Sequence, residues 1–194
     1  MDEWTGKGPA TPVDDVLERA TADRLWTRRN ALAVTAGFLG VALAAPARAS
    51  AYTQRLQPRA TQIVVSKKNR AMALMSGKET LRTYRINLGF APVGPKQRSG
   101  DGRTPEGVYY IDRRNPLSDF HLSLGISYPN ATDVARCLAL GVEPGGDIMI
   151  HGGPTRRADR YKKDWTAGCI AVTDGEMEEI WSMVPTGIPI VILA

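Results

Sequence analysis

The chain has 194 residues, enough for one domain and an extension, and carries 25 Lys plus Arg against 20 Asp plus Glu for a net charge of +5. It shows no arginine-rich helix and no interleaved aromatic platform, which argues against a nucleic-acid partner. A mildly basic balance suits an anionic polymer or a membrane surface instead.

The first element reads as an export signal, with a retained membrane anchor as the alternative. Thr27-Arg28-Arg29-Asn30 precedes an apolar run of 16 residues from Ala31 to Pro46, and Ala47-Arg48-Ala49 supplies small residues where a signal peptidase reads. The paired arginines and long polar lead are similar to a twin-arginine signal. Thr35, Gly37 and Gly40 interrupt the run, which falls short of the roughly 20 apolar residues a span needs. Cleavage is expected after Ala49, delivering the protein to the periplasm or cell envelope. Residues 1–49 are therefore set aside as the signal region and 50–61 as a short linker. The part from Ser50 onward holds 145 residues, with 19 Lys plus Arg against 14 Asp plus Glu, enough for a real core.

Ile63-Val64-Val65 and Ala71 to Met75 flank the polar turn Lys67-Lys68-Asn69-Arg70, which predicts a β-hairpin. Leu81 to Leu88 alternates apolar with polar residues, as a half-buried strand does. Gly89 to Gly107 holds five Gly and three Pro and reads as loop. Val108 to Ile111 and Phe120 to Leu124 are expected to be strands separated by Arg113-Arg114-Asn115-Pro116. Val134, Cys137 and Leu138 share one face of a short helix. There Cys137 reads as a small buried hydrophobe. A Cys137–Cys169 disulfide suits an oxidising compartment but would consume a reactive thiol.

Ile148-Met149-Ile150, bounded by glycines, has the form of a central strand that presents His151 at its end. Residues 154–165 form a polar loop with Arg156, Arg157 and Arg160. Cys169 to Val172 starts another strand. Thr173 and Glu176 form a capping box for a helix whose face is Met177, Ile180, Trp181 and Val184. Pro185 ends that helix. Ile188 to Leu193 is the last strand, and Pro189 predicts that it lies at an edge or starts late. The fold class is mainly β with two short helices.

His151 and Cys169 are the candidate base and nucleophile. A thiolate attacks carbonyl carbon, and a nearby imidazole produces it by taking the thiol proton. Gly168 permits a tight turn before the nucleophile. The N–H groups around Gly168 and Cys169 are candidate donors to an oxyanion. No acid is evident to orient the imidazole, so a backbone carbonyl near Gly152 is expected to do so. His121 either lines the donor cleft or packs. Trp165 either walls the pocket or belongs to the core. A zinc site from both His and both Cys lacks the close ligand pairs of structural zinc. No metal or other cofactor is expected. A catalytically silent wall-binding module, needing only the cleft and the basic surface, is the rival from another class.

Asp147 to Val172 resembles the L,D-transpeptidase (YkuD-type) catalytic domain, whose signature is His-Gly, a loop, then Ser/Thr-x-Gly-Cys. Here the signature falls on His151-Gly152 and Thr166-Ala167-Gly168-Cys169. The loop Gly100 to Gly107 and Ser127-Tyr128-Pro129-Asn130 also resemble parts of that family, and the likeness covers about residues 62–193. It implies a β-sandwich-like catalytic domain acting on peptidoglycan stem peptides. Cys169 would attack the carbonyl at the L-centre of the third residue, a diamino acid, and release the terminal D-amino acid. An amine of a neighbouring stem (a 3–3 cross-link) or a lipoprotein lysine would then take the acyl group; water as acceptor would make a carboxypeptidase or amidase. Gly152, Gly168 and Thr166 would support the site. Many members have His at Ala167, and a basic or amide residue at Ala171 that contacts substrate carboxylate. Arg156, Arg157, Arg160 or Arg103 are the candidate replacements here. The variant Thr-Ala-Gly-Cys-Ile-Ala pattern is similar to a subgroup related to enzymes that detach lipoprotein.

Overall fold

The computed structural model describes residues 58–159 and 161–194. The segment 1–49, read above as an export signal, and Arg160 lie outside the described residues. Of the segment read as linker, Ala60 is already buried, and its N–H donates to the Met183 carbonyl at 2.9 Å. Among the described residues no helix is long and apolar enough to cross a membrane.

Strands β1 (Gln62–Ser66) and β2 (Ala71–Ser76) form the expected antiparallel hairpin, and β3 (Glu79–Arg85) pairs with β2. β4 (Gly107–Ser118) is followed by β5 (His121–Ile126), helix α1 (Ala131–Ala139), β6 (Met149–His151), β7 (Ile170–Ala171), helix α2 (Asp174–Met183) and β8 (Pro189–Leu193). The strands make one curled sheet in the order β3-β2-β1-β8-β4-β5-β6-β7. Its two ends meet: Asn87, just past β3, exchanges both backbone hydrogen bonds with Ala171 of β7, at 2.8 and 2.9 Å. The curl encloses a core in which Ile63, Val65 and Leu74 join Leu124, Ile150 and Ile170 from the other half. Burying each such side chain contributes roughly 1.5–3 kcal/mol.

Three expectations are corrected. Arg113 to Pro116 do not separate strands; they lie inside the twelve-residue β4, which bends at register shifts between Ile111 and Arg113 and between Asn115 and Ser118. Bulges bend a strand without ending its pairing. β8 does start at Pro189 but is not an edge: it lies between β1 and β4. A missing N–H is tolerated at the first position of a strand. On α1 only Cys137 of the proposed apolar face is buried, while Leu138 is 74% exposed and Val134 lies at the surface. Both cysteines are free, and the Cys137 thiol donates to the Gln97 carbonyl at 3.1 Å.

The helices start as their caps dictate. Thr173 Oγ1 accepts the Glu176 N–H and the Glu176 carboxylate accepts the Thr173 N–H. Asn130 and Asp133 make the same reciprocal pair at α1. Met177, Ile180 and Val184 of α2 are buried. Arg114 of β4 donates to the Trp181 and Val184 carbonyls and lies over the Trp181 ring, which closes the end of α2 with a cation.

The polar turn after β1 is not all solvated. Lys67 is buried, and its ammonium donates to the Gly94 and Thr104 carbonyls at 2.6 and 2.8 Å and to Glu106 Oε1 at 2.8 Å. It fastens the 89–107 loop to the hairpin.

Candidate active site

β6 and β7 lie side by side in parallel, with Ile150 opposite Ile170 and His151 opposite Ala171. Side chains alternate along a strand. Ile150 and Ile170 therefore enter the core together, while His151 and Cys169 share the other face. Antiparallel pairing extends that face across β5 and β4, with Arg113, Gly125 and Met149 in one row and Asn115, Ser123 and His151 in the next.

His151 Nδ1 lies 2.7 Å from the Gly152 carbonyl oxygen. A carbonyl only accepts, so the tautomer with hydrogen on Nδ1 is selected and Nε2 is left with its lone pair. The ring stacks on Phe120, with centroids 4.6 Å apart, and meets Trp165 edge-on at 5.6 Å.

The turn before Cys169 is braced from inside. Thr166 is buried; its Oγ1 donates to the Cys169 carbonyl at 2.7 Å and accepts the Gly168 N–H at 3.2 Å. Of the two amides considered for an oxyanion, Gly168 is thus engaged with Thr166, and the Cys169 N–H remains. Gly168 has φ +133°, and a Cβ there would lie 2.8 Å from the Arg103 carbonyl oxygen; only glycine fits this close approach. Upstream, Asp164 accepts three hydrogen bonds from Arg70, at 2.7, 2.9 and 3.2 Å, and one from the Leu88 N–H at 3.1 Å.

The Cys169 thiol donates to the Asp147 carbonyl at 3.4 Å. Burial pushes this thiol above its ordinary range, opposed by the Met149 N–H and aided by the Asp147 charge. Burial lowers the His151 imidazole, with the Gly152 contact opposing. Both shifts favour the neutral forms. Burial thus works against a thiolate–imidazolium pair before substrate arrives, and the thiol's hydrogen bond goes to the Asp147 carbonyl.

His151 and Cys169 line one cavity of about 310 Å³ together with Phe120, Trp165, Thr166, Ala167, Arg156 and Asp159. Trp165, Arg156 and Thr166, all candidates from the sequence, are among its lining residues. His121 does not line it: its Nε2 pairs with Glu178 Oε1 at 2.9 Å on the α2 side. The reason is local, since His121 has φ 70°, which breaks strand alternation and turns Phe120 to the imidazole in its place. Arg103 contributes its carbonyl beneath Gly168, while its side chain reaches toward the Pro95 carbonyl at 3.5 Å. Arg157 lies in a short 3₁₀ turn, Arg157–Asp159. Ala171 is buried, so nothing polar stands at that position. Phe120 and Asp159 were not singled out by the sequence reading. An aromatic immediately before the strand whose Ser123 pairs with His151 is the available signal for Phe120; Asp159 in a polar loop gives none. Among the described residues no group of three His, Cys, Asp or Glu side chains could hold a metal.

The family model for the L,D-transpeptidase catalytic domain (YkuD) matches residues 60–192. YafK of Escherichia coli strain K12, described as a candidate L,D-transpeptidase, is 31% identical over 155 residues, covering 77% of this chain and 57% of that protein. The chain thus spans little more than half the length of that curated relative. The crystal structure of the helical cell shape determining protein Pgp2 from Campylobacter jejuni matches with TM-score 0.55 and 22% identity, over 70% of this chain and 48% of that one. Bd1075 of Bdellovibrio bacteriovorus matches with TM-score 0.50, 24% identity and the same coverage, 70% and 48%. At these identities the solved structures share the fold.

Proposed function

The chain belongs to the YkuD family of L,D-transpeptidase catalytic domains, and on that premise we propose that it carries out cysteine-dependent acyl transfer on peptidoglycan stem peptides. One observation carries the reading: His151 at the end of β6 and Cys169 immediately before β7 line one cavity, with the imidazole oriented by the Gly152 carbonyl. As Cys169 Sγ attacks the carbonyl carbon at the L-centre of the third stem residue, its proton passes to His151 Nε2. The oxyanion is received by the Cys169 N–H. Collapse breaks the C–N bond, and His151 returns the proton to the departing D-amino acid, leaving a thioester on Cys169. An amine then attacks the thioester, His151 takes the amine's proton, and the sulfur leaves and is reprotonated. The amine comes from a neighbouring stem or from a lipoprotein lysine.

Hydrolysis, as a carboxypeptidase or a lipoprotein-releasing amidase, is the second reading. It is favoured by Ala167, whose small side chain faces the cavity, and by buried Ala171, which offers substrate no charge. Arg156 at the cavity wall is the proposed partner for the stem carboxylate in its place. Export to the envelope by residues 1–49 completes the proposal. An N-terminal sequence from envelope fractions still beginning at Met1 would reject signal cleavage.

The test is mass analysis of purified tetrapeptide muropeptides after incubation with the protein. Cross-linked dimer supports transpeptidation, and tripeptide alone supports hydrolysis. Binding with no product supports a silent wall-binding module. Turnover retained by Cys169→Ala rejects the cysteine mechanism.

A further inference from the structure

Arg113 shares the cleft face with Cys169, two strands away from β6, and reaches the site over a gap in the sheet. A Cβ on Gly125 would lie 2.5 Å from Arg113 Cγ and 2.9 Å from its Cζ. The missing side chain on β5 is what lets the arginine cross. On the far side Arg113 Nη2 donates to Asp147 Oδ1 at 2.9 Å. Asp147 has φ 54°, a left-handed backbone uncommon outside glycine, although Asp and Asn tolerate it. In that conformation its carbonyl accepts the Cys169 thiol at 3.4 Å. Arg113 thus touches the side chain of the residue whose main chain touches the nucleophile.

We propose that Arg113 is a positioning residue for the Cys169 thiol, acting through Asp147. The bond across Gly125 holds Asp147 so that its carbonyl sets the direction of the S–H. The guanidinium also offsets a carboxylate that would otherwise disfavour the thiolate. The other charged or titratable groups facing the thiol are His151 from β6, Lys96 from the 89–107 loop (itself paired with Asp101), and Arg156 and Asp159 from the 154–165 loop. Asp112 of β4 also accepts from Arg113, at 3.1 Å. The inference rests on Cys169 being the nucleophile.

The experiment is the pH profile of Cys169 alkylation by iodoacetamide in the full-length protein, with the modified cysteine assigned by mass to exclude Cys137. Arg113→Ala leaves the Asp147 carboxylate without its counter-charge and moves the profile to higher pH. Both side chains are open to solvent, Asp147 at 88% exposure, so at a fixed pH below the midpoint the rate falls about two- to fivefold. Arg113→Lys keeps the charge and stays closer to the parent. Asp147→Asn tolerates the same backbone and moves the profile to lower pH. The double variant Arg113→Ala/Asp147→Asn matches Asp147→Asn alone. An unmoved profile in Arg113→Ala overturns the proposal, as do single variants that shift in the same direction, the mark of a loosened site. The alkylation readout does not depend on acyl transfer. Turnover surviving in Cys169→Ala would therefore sink the proposed function separately.

Discussion

Thr166 Oγ1 and the Cys169 carbonyl are 2.7 Å apart, and the same hydroxyl accepts the Gly168 N–H. One side chain thereby fixes both ends of the turn that presents the thiol, which gives the Ser/Thr of the Thr166-Ala167-Gly168-Cys169 motif a physical role. Thr166→Val keeps the shape and strands both backbone groups in a buried place, at a cost of about 1–3 kcal/mol. Misplacing the nucleophile by a fraction of an ångström should reduce kcat about 10- to 100-fold, whereas Thr166→Ser should retain most activity. A melting curve and a turnover assay check both parts; a valine variant with parental kcat would contradict the bracing role.

The pH dependence follows from burial. The folded His151 value lies below 6.5, so the neutral base is present at pH 7 and the acid limb of kcat/KM should fall below pH 6.5. In the absence of substrate Cys169 ionises only above its ordinary 9.0, and alkylation should climb on the alkaline side of that value. The signs for stability are opposite. Below pH 6.5 the unfolded imidazole binds a proton that the folded one resists, so stability falls as pH drops. Above pH 9 the unfolded thiol loses a proton that the folded one keeps, so stability falls as pH rises. An acid limb centred above pH 7 would contradict the buried neutral imidazole.

Gly168→Ala should be among the most damaging substitutions. The new Cβ would meet the Arg103 carbonyl at 2.8 Å and Ile148 Cδ1 at 3.2 Å, at φ +133°. Strain and clash together should remove about 2–4 kcal/mol. Gly175→Ala is the control, because it meets nothing within 4 Å in the first turn of α2. It should be neutral or stabilise by about 0.4–1 kcal/mol. Equal melting temperatures for the two variants would contradict this reading.

Asp101 links the 89–107 loop to acid stability. Burial alone would push its carboxyl up, but the Lys96 ammonium and the N–H groups of Gln97, Arg103 and Arg98 hold it down at about 2. Its side chain is 8% exposed. The unfolded carboxyl, with an ordinary value of 3.8, takes up a proton first as the solution is acidified. Stability of about 2 kcal/mol is therefore present above pH 4 and lost toward pH 2. Asp101→Asn should flatten that part of a denaturation-versus-pH curve, and an unaltered slope would refute the assignment.

Lys67→Met should cost about 3 kcal/mol, since it leaves Glu106 and two carbonyls without their buried cation. Urea denaturation measures it. A change within 0.5 kcal/mol, about the size expected at an unremarkable surface position, would show that the ammonium is dispensable.

Local rules made much of this molecule readable. The Thr173–Glu176 capping box set the start of α2, and the i, i+3, i+7 spacing of Met177, Ile180 and Val184 identified its buried face. Glycines on both sides of Ile148 to Ile150 marked a central strand. What stayed hidden depended on partners far away in sequence. Lys67 looks like turn solvent until Glu106 and Thr104 fold over it. Arg113 to Pro116 read as a break because their charges find partners across the sheet and at the end of α2. His121 and Phe120 exchanged places through one backbone angle that no alternation pattern records.

The position of β8 has a consequence for synthesis. Residues 189–193 join β1 to β4, yet they are translated after both halves of the sheet and after His151 and Cys169. A nascent chain that has not yet released them from the ribosome holds two sheet fragments with unpaired edges, hazards for association with other chains. The ladder from β1 to β4 therefore closes only once residues 189–193 have left the ribosome, later than every other strand of the sheet.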